Sequence, residues 1–261
     1  MSPSVPKPEL SAAVIVIGNE ILSGRTQDTN TAWIAQKLAT QGIELTEARV
    51  VPDTEEAIIK AVNELRASNK YVFTTGGLGP THDDITAECI AKAFGRKIGL
   101  HPEARKILVG YYGAEELTDA REKMAFIPDG ATLIANPVSG APGFILENVY
   151  VMAGIPRIMH AMFEGILMML GTGKPILSNT IVCSLAESVI AEGLGALQKD
   201  FPTVNIGSYP QYRGGVGSLS LVLRSADEQI LSKATEALVD LIRALGDHPQ
   251  AVGLQADISN L

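Results

Sequence analysis

An α/β fold with a mostly parallel sheet is predicted by two strand-like runs, each ending at once in a glycine turn and followed by helical patterns. The first run is Ala12 to Ile17, AAVIVI, ending in Gly18-Asn19-Glu20. The second is Tyr71 to Thr75, YVFTT, running into Gly76, Gly77 and Gly79. Continuous apolar strands are what a central parallel sheet, covered on both faces, requires. A third observation divides the chain. Gly171-Thr172-Gly173-Lys174-Pro175 lacks the spaced first glycine of a phosphate loop and carries proline where Ser or Thr would stand, so it reads as a linker. The expected organisation is a flexible N-terminus over 1–10, an α/β domain over 11–171 and a small α+β domain over 172–261.

The elements follow from periodicity. After the first strand, Trp33, Ile34 and Leu38 mark a helix from about Thr29 to Gln41, with Gly42 as its stop. Ile43 to Val51 is a second strand. Pro52-Asp53-Thr54-Glu55-Glu56 opens a helix whose Ile58, Val62 and Leu65 share a face. The glycine turn after Thr75 leads into a helix carrying Ile85, Cys89, Ile90 and Phe94. From Arg96 to Pro128 the pattern is helical and polar, broken at Tyr111 to Gly113. Asn136 to Phe144, NPVSGAPGF, is a loop rich in residues that set unusual backbone angles. Tyr150 to Ala153 is a strand, and a Met-rich helix (Met159, Met162, Met168, Met169) runs through Leu170 as core or partner surface. Beyond the linker come a strand (Asn179 to Ser184) and a helix (Ala186 to Gln198). A strand pair follows (Val204 to Tyr209, Ser218 to Arg224) around Gly214-Gly215, then a helix from Asp227 to Leu245. That order suggests helices on one face of an antiparallel sheet.

Chemistry concentrates in TTGGLGPTHDDIT, Thr74 to Thr86. A strand–glycine turn–helix unit aims backbone N–H groups at one point, and Thr75, Gly76, Gly77, Gly79, Pro80 and Thr81 form the expected phosphate cradle. Thr81 and Thr86 offer hydroxyl donors. Asp83 and Asp84 would repel a bound phosphate unless a cation lay between, so the loop suggests phosphate plus a divalent metal. The alternative is structural: Asp84 as a helix N-cap, and Asp53, three residues before Glu56, as part of a capping box. Asp53 nevertheless follows a strand expected in the same sheet, so its carboxylate would share an edge with Asp84. His82 is a candidate neighbour of the phosphate and His101 a surface residue; neither has a second ligand at metal spacing.

Composition narrows the classes. A net charge of −8 and a pI near 5.1 argue against a general affinity for nucleic acid or anionic membranes, both of which need clustered Lys and Arg. Cys89 and Cys183 lie far apart in apolar patterns, which fits buried thiols in a reducing compartment. No long apolar run offers a membrane span, and a cytoplasmic location is expected.

TTGGLGPTHDDIT resembles the signature of the molybdopterin-binding MoaB/Mog domain, in the version found in the competence/damage-inducible (CinA) family, over roughly Ala12 to Leu170. GNEILSGRTQDTN fits the family's first turn, with Glu20, Gly24, Asp28 and Asn30 matching and Asn19 departing. Asn136, Pro137, Ala141, Pro142, Gly143 and Phe144 match the element that closes over the ligand in the family. AGIPRIM places Ala153 and Ile158 where relatives carry proline and glutamate. The resemblance implies a three-layer domain with a mostly parallel sheet and, after it, a CinA-like middle domain serving dimerisation or active-site cover. The amidohydrolase domain of longer members has no counterpart, so no deamidase activity is expected.

The same resemblance implies that Asp53 and Asp84 are the essential pair. It adds Glu20, Asn30, Asn136, Pro137 and Gly143 to the ligand contacts. There is no Ser or Cys nucleophile beside a His and no hydride-cofactor fingerprint. The expected activity is a metal-dependent (Mg, Mn or Co) nucleotide pyrophosphatase acting on ADP-ribose or a related dinucleotide, with Asp53, Asp83 and Asp84 on the metal. The alternative is a non-catalytic module binding a pterin, such as molybdopterin, or a nucleotide. A homo-oligomer, with a dimer favoured, is expected in either case.

Overall fold

The computed structural model describes residues 10–213 and 216–252, which fall into two compact units dividing between Gly173 and Lys174; Thr40–Gly42 group with the second. The expected flexible tail, up to residue 9, and the Gly214-Gly215 turn lie outside the described residues.

The first unit runs β1 (Ser11–Ile17), α1 (Asn19–Leu22), α2 (Asn30–Thr40), β2 (Glu44–Val51), α3 (Glu55–Ser68), β3 (Tyr71–Thr75) and α4 (Thr86–Ala93). It continues through β4 (Ile98–Leu100), α5 (Pro102–Tyr112), α6 (Asp119–Glu122), a 3-10 turn at Lys123–Ala125 and β5 (Phe126–Pro128). It closes with β6 (Thr132–Ile134), β7 (Gly143–Leu146), β8 (Val149–Met152) and α7 (Pro156–Leu167). The main sheet has the order β2-β1-β3-β8-β7-β6. β2, β1, β3 and β8 are parallel and β7 is antiparallel to both neighbours.

β1 is buried along its whole length, and its side chains alternate between two cores. Ala13, Ile15 and Ile17 meet Ile58, Val62 and Leu65 of α3 and Cys89 and Ile90 of α4. Ala12, Val14 and Val16 meet Ile34 and Leu38 of α2 and Met159, Met162 and Phe163 of α7. These are the two interfaces of a three-layer sandwich. Each fully buried Phe, such as Phe73 and Phe163, contributes on the order of 1.5–3 kcal/mol. Trp33 of α2 stacks on His160 of α7 at 4.0 Å between ring centroids and meets Phe163 edge-on at 5.5 Å. Burial holds the His160 imidazole below its ordinary pKa. The helix ends at Leu167, short of the expected Leu170: Met159 and Met162 within it are core, while Met168 and Met169, just past its end, are exposed.

The segment read as helical and polar from Arg96 to Pro128 also contains a small antiparallel pair, β4 with β5. Three-residue strands are too short to show period-2 alternation, so this pair leaves no sequence signal. Gly143 and Phe144, expected in a loop, belong to β7 and pair with Ile134 and Leu133 of β6.

The second unit is β9 (Leu177–Cys183), α8 (Glu187–Asp200), β10 (Asn205–Arg213), β11 (Val216–Ser225), α9 (Glu228–Ala244) and β12 (Gln250–Val252). Its sheet is antiparallel throughout, in the order β10-β11-β9-β12. Leu219, Leu221 and Leu223 alternate onto the face covered by Ile190 and Leu197 of α8 and Leu231, Leu238 and Ile242 of α9. β12 was not anticipated. Among the described residues no helix is long and apolar enough to cross a membrane.

Candidate functional site

β1, β2, β3 and β8 run parallel, so their carboxyl ends lie on one edge of the sheet, and each is followed by a segment the sequence singles out. Gly18-Asn19-Glu20 follows β1, Asp53 follows β2, the glycine turn follows β3 and Gly154 follows β8. In open α/β sheets this edge is where ligands bind.

The glycine turn is held from several directions. Gly76 N–H donates to Met152 O at 3.2 Å, Thr86 N–H to Gly77 O at 3.1 Å, and the Thr86 hydroxyl to Gly76 O at 3.0 Å. Gly76 and Gly77 both have positive φ, 105° and 66°. A Cβ on Gly76 would stand 2.1 Å from Ile17 O, and one on Gly77 would stand 2.1 Å from Thr86 Oγ1. Only glycine fits either position. Thr86 is fully buried and its hydroxyl is already donated inside the turn, so the expectation that it binds phosphate is corrected: it shapes the loop.

Both aspartates turn away from the capping role. α3 starts at Glu55 with Thr54 as N-cap and no side-chain cap bond. Asp53 Oδ2 instead accepts the Asn19 backbone N–H at 2.7 Å. α4 starts at Thr86 with Ile85 as N-cap, again without a side-chain bond, and Asp84 Oδ2 accepts the Thr81 N–H at 2.8 Å and also the Thr81 hydroxyl. That hydroxyl lies 2.6 Å from Asp83 Oδ1 as well, and Thr81 together with the Asp83 backbone N–H lowers the Asp83 pKa. His82 is almost fully exposed, with Nδ1 4.0 Å from Asp83 Oδ1. His101 is the N-cap of α5, its Nδ1 accepting the Ala104 N–H at 3.3 Å.

The expected three-carboxylate metal set is not assembled: among the described residues no three His, Cys, Asp or Glu side chains could share a metal ion. Mg²⁺ and Mn²⁺ favour oxygen ligands, and Mg²⁺ commonly takes one or two carboxylates together with substrate phosphates. A carboxylate with one N–H bond retains acceptor capacity on its other oxygen.

Asn30 is buried at the start of α2, which Asp28 caps by accepting the Asn30 and Thr31 N–H groups. Its Nδ2 donates to Gly154 O at 2.7 Å, tying α2 to the end of β8, while its Oδ1 has no partner among the described residues. Thr75 Oγ1, also buried, has none either. Buried polar atoms without partners are rare enough to mark a place where a ligand or water completes the bonding. Glu20 is exposed in α1, its carboxylate folded toward Gly18. Pro80 is exposed at the tip of the glycine turn.

The second loop is organised differently from expectation. Asn136 accepts the N–H groups of Val138 and Ser139 and donates to Ser139 Oγ and Ala141 O, so its side chain is saturated within its own loop. Among the described residues neither Asn136 nor Pro137 lines the cleft beside the glycine turn, and Gly143 is a buried strand residue. Pro142 does reach it. A cleft of about 460 Å³ opens from Gly77, Leu78 and Gly79 and is closed by Pro142, Phe126 and the 119–124 segment. Lys123, in this wall, donates to Thr81 O at 2.9 Å. Sequence reasoning missed Lys123, because it lies 42 residues away in a stretch with no motif. Ile158, where the resemblance led to an expected glutamate, packs against the α2/α7 core.

A mostly parallel sheet between two helical layers, with a glycine turn, anchored carboxylates and unpartnered buried polar atoms at its strand ends, defines a three-layer α/β protein with a candidate ligand site at that edge. The chain belongs to the molybdopterin-binding domain family: a model described as a probable molybdopterin binding domain matches residues 13–177, and one for the FAD synthase middle domain matches 175–246. An Aeropyrum pernix protein is 38% identical over 211 residues, 77% of this chain and 79% of that protein. A CinA-like protein of Kosmotoga olearia is 32% identical over 257 residues, 94% of this chain but 61% of that protein. The solved structure of CinA from Thermoplasma acidophilum, described as of unknown function, aligns with a TM-score of 0.59 at 36% identity, covering 61% of this chain and 97% of its own.

Proposed function

We propose that the chain is a metal-dependent nucleotide pyrophosphatase acting on ADP-ribose or a related dinucleotide. The observation that carries this reading is the pair of carboxylates, Asp53 and Asp84, each fixed by a backbone N–H beside a turn whose glycines admit a close-lying anion. A divalent cation held by Asp53 and Asp84 would neutralise charge on the diphosphate and lower the pKa of a bound water. The protein's own part is positional. The Gly77–Gly79 backbone receives the phosphate, Asn30 Oδ1 and Thr75 Oγ1 offer polar groups to the ligand, and Lys123 adds a cation next to the turn. Asp83 holds Thr81 in place.

A second reading, a non-catalytic pterin- or nucleotide-binding module, is favoured by two observations: no three-carboxylate cluster among the described residues, and the apolar, partly buried Ile158 packed against the core. Turnover separates the two. ADP-ribose incubated with the protein in EDTA, and then in magnesium, manganese or cobalt, yields AMP only with metal under the first reading, and the Asp84→Ala variant yields none. Thermal stabilisation by nucleotide without AMP in any metal would leave only the second.

A further inference from the structure

Helices α2 and α7 cover the same face of the main sheet, and three contacts run along the seam between them. At the strand-end edge Asn30 Nδ2 donates to Gly154 O at 2.7 Å. Further along, Trp33 stacks on His160 at 4.0 Å between centroids, with the ring planes 9° apart. Beyond that, Lys37 Nζ reaches Glu164 Oε1 at 3.2 Å and lies 5.1 Å from the centre of the Trp33 ring. On α2 the rungs fall three and four residues apart, and on α7 His160 and Glu164 are four apart, so each rung neighbours the next on one helical face. The first rung backs onto the glycine turn: a Cβ on Gly154 would stand 3.1 Å from Gly76 Cα.

Of the ionisable groups in the seam, Lys37, His160 and Glu164, the imidazole is the one that changes charge near neutral pH. Its Nε2 is buried with no hydrogen-bond partner among the described residues. A neutral imidazole can leave that nitrogen as a bare acceptor. In the imidazolium both nitrogens carry N–H groups, and this one would face neither an acceptor nor water. Two neighbours favour the proton, the indole face through cation–π attraction and Glu164 through its charge, while Lys37 opposes it. Burial outweighs the attraction, because the imidazole is held below its ordinary 6.5.

We infer that the α2/α7 seam is a proton-operated joint: protonation of His160 parts the Trp33–His160 stack and releases the Asn30–Gly154 tie behind the glycine turn. The parted form binds the proton more tightly, because there the imidazolium can turn into water, and a ligand shifts an equilibrium toward the state it prefers. Above 6.5 the ring is neutral in both forms and the seam is closed; as pH falls below that value the closed form loses stability. A protonated His160 also competes with Lys37 for Glu164, so the third rung weakens with the second. The joint acts on the framework of the edge whatever ligand lies there.

Trp33 is the chain's single tryptophan, so its emission reports the middle rung. In the full chain, taken from about pH 8 to about pH 5, the emission maximum is expected to move to the red as the indole meets water, while the far-UV circular dichroism stays unchanged. His160→Phe keeps a flat ring on the indole and takes no proton, and His160→Gln removes the ring; neither is expected to show the shift. Hydrogen exchange reads the first rung. Between about pH 7.5 and about pH 5.5 the ratio of exchange rates, parent to His160→Phe, is expected to rise at least about threefold in residues 30–34 and 157–161. Emission that stays constant, or that loses intensity without moving to the red, overturns the inference, the latter because the ring then takes its proton inside a closed seam. A red shift that persists in both variants, or that comes with loss of the helical signal, overturns it too, as does an exchange ratio that does not change with pH.

Discussion

The Asp53 carboxylate accepts the backbone N–H of Asn19 across 34 residues of sequence, joining the segment after β2 to the segment after β1. The bond uses the backbone of Asn19 and not its side chain, so the residue that departs from the family pattern can change without losing the contact. It also aims Asp53 along the strand ends and away from α3, whose cap is Thr54.

That contact separates structure from chemistry at Asp53. Asp53→Asn keeps an acceptor for Asn19 and loses the charge. Its melting temperature is expected within a degree or two of the parent, with metal-dependent turnover of ADP-ribose lowered by at least about 100-fold. Full activity in the Asn variant would remove Asp53 from the metal.

Gly76→Ala places a methyl against Ile17 O in a backbone conformation that L-residues rarely adopt. A loss of roughly 3 kcal/mol in urea unfolding is expected, together with loss of phosphate binding, because β1 and the turn cannot both keep their places.

Thr86→Val is nearly isosteric but leaves the buried Gly76 carbonyl without its hydroxyl donor. Stability should fall by about 1–3 kcal/mol, and Thr86→Ser should recover most of it. If Val bound nucleotide normally and unfolded at the parent's urea midpoint, the hydroxyl would have no part in holding the turn.

Burial pushes the Cys89 thiol from 9.0 up to about 11. The folded state then keeps its proton where the unfolded chain has lost it. This contribution to stability is complete below pH 9 and declines as pH rises toward 11. Urea midpoints between those values should fall less steeply for Cys89→Ala than for the parent, and the native thiol should resist thiol reagents at pH 8.

Much of the fold was legible because its signals are local. β1 and β3 are buried on both faces and so had to be continuously apolar; α3 and α4 each bury one stripe and so had to repeat near 3.6 residues. The glycines of the turn were legible for the same reason, since the positive φ at Gly76 and Gly77 excludes other residues whatever lies around them. β4, β5 and β12, at three residues each, carry no period and were found only when a partner strand was found.

The direction of a side chain is another matter. Asp53 and Asp84 both occupy sequence positions that suit a helix cap; a tertiary neighbour, Asn19, turned Asp53 to the strand ends, while Asp84 was drawn back into its own loop by Thr81, three residues before it. Thr86, equally plausible as a ligand donor, was drawn inward by the Gly76 carbonyl, and Asn136 was claimed by its own loop. Lys123 had no motif at all, and reached Thr81 because the 119–125 segment folds over α4. Backbone conformation and burial are written in short-range patterning, because sterics and solvent act on each residue where it stands. A hydrogen bond chooses among partners that only the packed chain brings within 3 Å, and that choice decided which of the candidate residues form the site.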